Sequence, residues 1–410
     1  QCEIWQKQGK SQGALELGQE ILAAVEEAQV PVTYEAHRII GRSLFDLGHL
    51  QQSEFHLRKA LEASLTQSEE FDQASVRSTL VDCLLRQGNV VEAINIQQEV
   101  VDIRKRLNSP AALTDALNDL GFVLYLSGEY ERAFRLYEES LTLARRCSYR
   151  RGEGLTLLSL CELLKSSGAP EQALTVCQEG LSVARDLDDK YLSAYGQEAL
   201  GLVYHSLGQS EKAESAIQKA LAQATRQNSV YQQGRYQATL GFVRVANHGL
   251  EAGLHDIDQA CEQLKVIDTE NEWARARLFA ALAWFAAGEK EKALAKLKQL
   301  HHALSKASQA SLFATQGHLA LPLLDYAIAQ SNAEEPWRTL RQQVRRWQSK
   351  SDLLLSPLAS RQRTEPAALR IYGFGIGRVE RNGEEIPISD WGAAATRLML
   401  FYMLMHGYRT

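Results

Sequence analysis

A mainly α-helical array of about seven or eight helix hairpins, with a small β-containing segment towards its C-terminal end, is the fold this sequence predicts. Three observations carry the prediction. A motif opening on Gly recurs every 40 residues: GNVVEA from Gly88, GEYERA from Gly128, GAPEQA from Gly168 and GQSEKA from Gly208. Composition favours helix, with eight prolines in 410 residues and 45% hydrophobic residues. After Pro366 the apolar pattern changes from helical to alternating. A single core rarely grows past roughly 250–300 residues, so a chain of this length needs several domains or a stacked array.

The anchor Gly stands at Gly48, Gly88, Gly128, Gly168, Gly208 and Gly288; position 248 is His248 with Gly249 beside it, and Gly9 is one residue out of phase. Five residues after each anchor comes a small side chain: Ala14, Ser53, Ala93, Ala133, Ala173, Ala213, Gly253 and Ala293. Eight before it comes an apolar one, from Ile40 through Leu80, Leu120, Leu160, Leu200 and Leu240 to Ala280. Seven before it stand Gly41, Val81, Gly121, Cys161, Gly201, Gly241 and Ala281. Apolar positions at helical spacing on both sides make each unit two amphipathic helices, A and B. The Gly ends helix A in a conformation that disfavours a Cβ. The small residue five later and the one seven earlier form matching notches that let the two helices close. One hairpin cannot bury both apolar faces, so neighbours stack and the core runs along the array.

On these residues each unit resembles a tetratricopeptide repeat, with Leu-Gly in helix A, a turn Gly and Ala in helix B. Ala116–Leu141 and Ala199–Ala224 carry the pattern best. The resemblance implies a right-handed superhelix. The 40-residue period is similar to that of the repeat region of large bacterial transcription regulators of the maltose-activator type. An NTPase module before Gln1 is implied by that resemblance alone. The unit at His248, reading NHGLEAG with Arg244 at an apolar position, is degenerate and predicts a distorted turn. Leu312–Ser331, with Pro322, resembles a capping helix. The array is assigned to residues 1–335.

Residues 336–366 read as a basic amphipathic helix, PWRTLRQQVRRWQSK, followed by a linker with Pro357 and Pro366. Then LRIYGFGIGRVERNGEEIPI alternates and carries Asn382-Gly383, a hairpin turn signal, which predicts strands over 369–374, 377–381 and 384–388. The helical stretch ATRLMLFYMLMHG follows. Residues 367–410 resemble the start of the winged-helix domain of bacterial activators of the antibiotic-regulator type, whose base-reading helix comes later in the domain. The alternative is a hairpin and helix that cap the array. From Arg341 to Thr410 there are 11 Lys or Arg and 6 Asp or Glu, while the net charge of the whole chain is −5. The array is therefore acidic and the tail basic, which suggests two kinds of partner.

The motifs of phosphate, metal and nucleophile chemistry are missing. No GxxxxGK[ST], HExxH, GxSxG or EF-hand loop occurs, and GFGIG at Gly373–Gly377 lacks the GxGxxG spacing. Neither an enzyme nor a cofactor is expected. Cys2, Cys83, Cys147, Cys161, Cys177 and Cys261 form no CxxC pair and read as small apolar residues in a reducing, cytoplasmic setting. His301-His302 point in different directions on a helix, and His248 and His255 read as solvated or hydrogen bonded. The N-terminus, QCEIWQKQGK, lacks a signal-peptide core and an initiator Met, and reads as a cut end.

The expected site is the groove lined by the A helices. Positions thirteen, ten, six and three before each anchor should face inward. They give Glu35, Arg38, Arg42 and Phe45; Asp82; Asp115, Asn118, Phe122 and Tyr125; Glu162 and Lys165; Tyr195, Glu198 and His205; Arg235 and Phe242; and Arg275. Arg38, Arg42, Asn118, Phe122, Tyr125, Glu162, Lys165, Tyr195, Glu198, His205 and Arg235 are the candidate binding residues. Phe122 and Tyr125 beside Asn118 are expected as solvent-facing anchors for a peptide or small effector; packing of Phe122 and Phe242 against the next A helix is the alternative. The expected function is the sensor and interaction region of a bacterial transcription regulator, meeting DNA only through a complete C-terminal domain, without a membrane partner and with homo-oligomerisation open. A scaffold that binds a protein or peptide and has no DNA role is the alternative.

Overall fold

The structure is a computed structural model. It describes residues 11–28, 34–67, 70–266, 270–304, 306–330 and 335–349, and the strand residues 369–372, 378–381 and 384–385. The chain forms two compact units, Gln1–Ser351 and Asp352–Thr410.

The first unit is all helix among its described residues. In chain order the helices are α1 (Ser11–Glu27), α2 (Tyr34–Asp46), α3 (Leu50–Gln67), α4 (Glu70–Arg86), α5 (Val90–Arg106), α6 (Pro110–Leu126), α7 (Tyr130–Arg146), α8 (Arg150–Ser166), α9 (Pro170–Asp186), α10 (Lys190–Ser206), α11 (Ser210–Arg226), α12 (Val230–His248), α13 (Leu250–Val266), α14 (Glu270–Ala286), α15 (Lys290–Ala303), α16 (Lys306–Gln330) and α17 (Glu335–Ser349). The even-numbered helices from α2 to α14 are the A helices of seven hairpins, and each packs on the B helix that follows it. A helices of consecutive hairpins also touch one another, as α6 touches α8 and α8 touches α10, more than successive B helices do. The array therefore curves with the A helices inside.

The hairpin turns fall on the anchors. Gly48, Gly88, Gly128, Gly168, Gly208 and Gly288 have φ between 71° and 86°. The notches also meet as the spacing requires. Ser53 Oγ donates to Gly41 O at 2.7 Å, joining the two notch positions, and a Cβ on Gly121 would lie 2.7 Å from the buried Tyr137 ring. In the degenerate unit α12 runs on to His248 and Gly249 takes the positive φ, 87°. Arg244 is accommodated there because Glu214 and Asp256 accept from it at 2.9 and 2.7 Å.

A second set of turns, between hairpins, was not read from the sequence. Asn108, Ser148, Asp188 and Asn228 have φ of 48° to 55°, again 40 residues apart. Small polar residues tolerate this left-handed region best among residues with a Cβ.

α16 and α17 form an eighth hairpin that packs on α14 and α15, and α16 reaches α6 and α8 as well. Tyr130 OH donates to Ala314 O, and Ser166 Oγ donates to Thr315 O at 2.9 Å. Asn271 Nδ2 donates to Leu85 O. These pairs lie 149 to 186 residues apart in sequence, so the solenoid returns onto its own earlier hairpins. The basic helix assigned to a separate 336–366 segment lies in the first unit: Trp337, Leu340 and Val344 join the core shared by α10 to α16.

In the second unit the described residues form an antiparallel sheet of order β1-β2-β3, with β1 (Leu369–Tyr372), β2 (Arg378–Arg381) and β3 (Glu384–Glu385). The expected Asn382-Gly383 turn, the helix over 395–407, Cys2 and the Gly9 anchor lie outside the described residues. No described helix is long and apolar enough to cross a membrane.

Candidate functional site

The inner face divides into two halves by how its charges are matched. In the later hairpins the carboxylates are paired with arginines. Arg235 donates to Glu198 at 2.7 Å and pairs with Glu162 at 3.2 Å and Glu272 at 3.4 Å. Arg275 pairs with Glu198 at 3.0 Å and with Glu272 at 2.8 Å, and Thr239 Oγ1 adds a bond to Glu198 at 2.8 Å. Glu198 is 1% exposed. Burial alone would raise its carboxyl, yet Arg235 and Arg275 outweigh that and hold it below the usual range. A carboxylate so placed needs both guanidinium groups, because an unpaired buried charge is costly.

Beside this network α16 covers the C-terminal ends of the A helices. Lys165 is buried there, and burial depresses its ammonium against the pull of Glu162. His318 of α16 is driven down to about 3, by burial first and then by the charges of Lys165 and His205. Neither of its ring nitrogens has a hydrogen-bond partner. His205 packs on Phe242 at 4.7 Å between ring centres, and Phe242 stacks on Phe279 at 4.5 Å.

The earlier half holds a cavity of about 570 Å³ whose lining includes Arg38, Arg42 and Asp46 of α2, Ser78 and Asp82 of α4, Arg104 of α5, and Asp115 and Asp119 of α6. Arg42 pairs with Asp46 at 3.2 Å and Arg38 with Glu35 at 2.8 Å. Asp115 accepts from Tyr149 OH at 3.1 Å and keeps Oδ1 without a partner. Asp119 is pushed up to about 8, by enclosure first and then by the negative charges of Asp82 and Asp115. Asp82 keeps access to solvent, but the surrounding wall desolvates it enough to raise it as well.

These positions sort the expected residues. Arg38 and Arg42 line the cavity. Asn118, although buried, reaches the site through its neighbour, donating to Asp119 at 3.5 Å. Glu162, Glu198, Tyr195 and Arg235 come together in the matched network, with Arg235 5.9 Å from the Tyr195 ring centre. Lys165 and His205 lie under α16. The expectation of solvent-facing anchors is corrected: Tyr125 is 2% exposed and Phe122 is partly buried against the core of the early hairpins. The cause is the returning eighth hairpin. Tyr125 OH bonds Ser166 Oγ at 2.7 Å, and the rings of Phe122, Tyr125, Tyr130 and Trp347 follow one another at 5.8 to 6.3 Å.

Asp119, Ser75, Ser78, Thr79 and Arg104 line the cavity but were missed. Asp119 stands nine before its anchor, one step off the inward positions. Its spacing of four from Asp115, on the face that Asp82 shares one hairpin earlier, was the available signal. Arg104 comes from a B helix, and no pattern in the A helices could have found it. The histidine expectations resolve into separate contacts: His248 Nε2 lies 2.9 Å from Glu214, His255 pairs with Gln259, and His301 packs on Trp337. Cys83, Cys161, Cys177 and Cys261 are buried thiols and Cys147 is exposed; burial pushes Cys83 and Cys261 up to about 11.

Family models described as tetratricopeptide repeat match residues 72–146 and 196–224, so these segments are tetratricopeptide repeats. Comparison with curated protein sequences gave no match. Among solved structures, the chain is similar to a Rap protein complexed with competence and sporulation factor, with TM-score 0.55, 16% identity, and coverage of 86% of this chain and 97% of that one. It is similar to aspartyl phosphate phosphatase F from Bacillus subtilis, with TM-score 0.55 and 12% identity over 67% and 72% of the two chains. A third is the Rap conjugation gene regulator of the plasmid pLS20 in complex with a Phr peptide, with TM-score 0.54 and 13% identity over 85% and 98%. Likeness at these identities concerns the fold, a helical-repeat solenoid.

Proposed function

We propose that this chain is an interaction scaffold that binds a protein or peptide in the inner groove of its repeat array. The observation that carries the reading is the cavity of about 570 Å³, lined by charged and hydroxyl side chains from α2, α4, α5 and α6. Four helices from three hairpins converge there, as recognition of an extended partner requires. One of the similar solved structures is a complex with a peptide. The test is selection of binders from a random displayed-peptide library. Ser78→Trp, which fills the cavity, should abolish binding of the selected peptides, and Val91→Glu on the exposed outer surface should leave it intact. The reverse pattern would place recognition on the outer face and defeat the proposal.

Within this reading, the groove serves a transcription regulator and is coupled to a DNA-binding domain begun by residues 367–410. Support comes from the sequence likeness, the antiparallel order β1-β2-β3 and the basic balance after Arg341. Attraction to phosphates without base readout should make DNA binding by the 410-residue chain weak, independent of sequence and steeply lost between about 50 and 200 mM salt. Fluorescence anisotropy with unrelated duplexes measures this. A footprint at one defined sequence at physiological salt would overturn that assignment of the tail and leave the groove reading untouched.

A further inference from the structure

The two halves of the inner face carry similar acids and satisfy them differently. In the later hairpins Arg235 joins Glu162, Glu198 and Glu272 from three different A helices. In the earlier hairpins Asp82, Asp115 and Asp119 face one cavity. Among the described residues no arginine or lysine lies within ion-pair distance of any of the three, while the cavity's own Arg42 is committed to Asp46 and Arg38 to Glu35. Arg42 and Arg86 act on Asp82, and Arg151 and Arg104 on Asp115, only from beyond contact, and a guanidinium or ammonium group supplied from outside would pair with the acids directly, as Arg235 does further along.

A second observation concerns the opposite charge. Arg104 lines the same cavity and is 7% exposed. Its guanidinium lies over the Phe71 ring at 4.3 Å, its Nη2 donates to Ser75 Oγ at 3.3 Å, and its Nη1 has no hydrogen-bond partner. A buried donor without an acceptor is costly, and a ligand oxygen would recover that cost. One ligand repairs both deficits if it carries a cation and, a few atoms away, a carbonyl or carboxylate oxygen.

That is the chemistry of a basic amino-acid residue. We infer that the cavity binds an arginine or lysine residue, its cationic group held by Asp82, Asp115 and Asp119 and its carbonyl or carboxylate oxygen by Arg104 Nη1. The inference rests on the groove being a recognition surface and names what the surface selects. A metal ion fits the cavity less well, since no group of three or more His, Cys, Asp or Glu is placed to hold one among the described residues. The volume lies inside the range of small-ligand pockets, roughly 300–1,000 Å³, and leaves room for residues on either side of the basic one.

Isothermal titration of the 410-residue chain with three probes tests this: acetyl-Ala-Arg-Ala-amide, its citrulline counterpart of the same shape without the charge, and free L-arginine. The arginine peptide should bind at least about tenfold more tightly than the citrulline peptide. Asp82→Asn with Asp119→Asn should erase that difference, and Arg104→Gln should weaken both peptides. Melting of the Asp variant should be unchanged or raised, because the substitution removes repulsion and keeps shape, so lost binding reads as lost recognition. Free arginine binding as tightly as the peptide assigns the site to the amino acid; weaker binding assigns it to a basic residue within a chain. Equal affinity of the arginine and citrulline peptides overturns cation selection, as does failure of all three probes to bind. Either failure leaves groove recognition standing if library-selected peptides are still lost in Ser78→Trp.

Discussion

Asp119 and Tyr125 show how a side chain's surroundings, more than its position, set its character. An aspartate on the inner wall reads as a solvated charge, yet Asp119 is raised to about 8 by enclosure and by two neighbouring carboxylates. The folded chain therefore binds a proton at Asp119 between about pH 4 and 8 that the unfolded chain has released, and this contribution destabilises the fold increasingly as pH rises through that window. Asp119→Asn should stabilise the protein at pH 8 by roughly 1–3 kcal/mol, below the full linkage value because solvent enters the cavity, and the gain should vanish near pH 4. Urea unfolding at the two pH values measures it, and a gain independent of pH would show that repulsion is not the cause. Tyr125 makes the opposite case. As a buried residue bonded to Ser166, its change to Ala should cost about 3–5 kcal/mol and its change to Phe about 0.5–1.5 kcal/mol. An exposed anchor would show almost no loss in either variant.

Each hairpin is specified by pairs of positions that must be read together. The Gly or small residue seven before the turn matters because a B-helix side chain sits against it. With the Tyr137 ring 2.7 Å from where a Cβ on Gly121 would stand, Gly121→Ala forces α6 and α7 apart and should destabilise by about 1–3 kcal/mol, despite the higher helix propensity of Ala. Thermal melting decides between the two effects, and a stabilised variant would mean the hairpin has slack that the geometry does not show. The small residues five after the turn were legible for the same reason: Ala93, Ala133, Ala173, Ala213 and Ala293 are all fully buried. The left-handed turns at Asn108, Ser148, Asp188 and Asn228 escaped notice because three different residue types serve one backbone conformation.

Across the first unit, the return of α16 onto α6 and α8 creates an interior that isolated hairpins would lack. His318 is carried into it and kept neutral down to about pH 3. Around it stand Lys165 of α8 and His205 of α10, both also depressed by burial. An unfolded chain protonates this histidine near pH 6.5, so the unfolded state binds more protons as pH falls below that value, and stability is lost progressively from about 6.5 towards 3. Glu198 and Glu214, held low by their partners, add their losses only below about 4.5. Asp119, raised to about 8, acts in the opposite direction over the same range, so the melting temperature of the wild-type chain relative to His318→Leu is what should fall as pH drops from 7 to 5. A difference between the two chains that stays constant between pH 7 and 5 would mean His318 is not enclosed.

The repeat phase, the hairpin turns and the burial of the notch residues were determined by the sequence alone, since they depend on contacts within one 40-residue unit and its neighbour, and a period makes such contacts visible seven times over. What only the tertiary structure decided depends on residues with no fixed spacing. Whether Tyr125 faced solvent or core was settled by Ala314 and Thr315, which lie on the far side of the array's return. Arg104 joined the cavity from a B helix. Arg235 could be placed on the inner face from its position, but its three carboxylate partners lie 37 and 73 residues away, and only the curvature of the stacked helices, accumulated hairpin by hairpin, brings such distances down to a hydrogen bond.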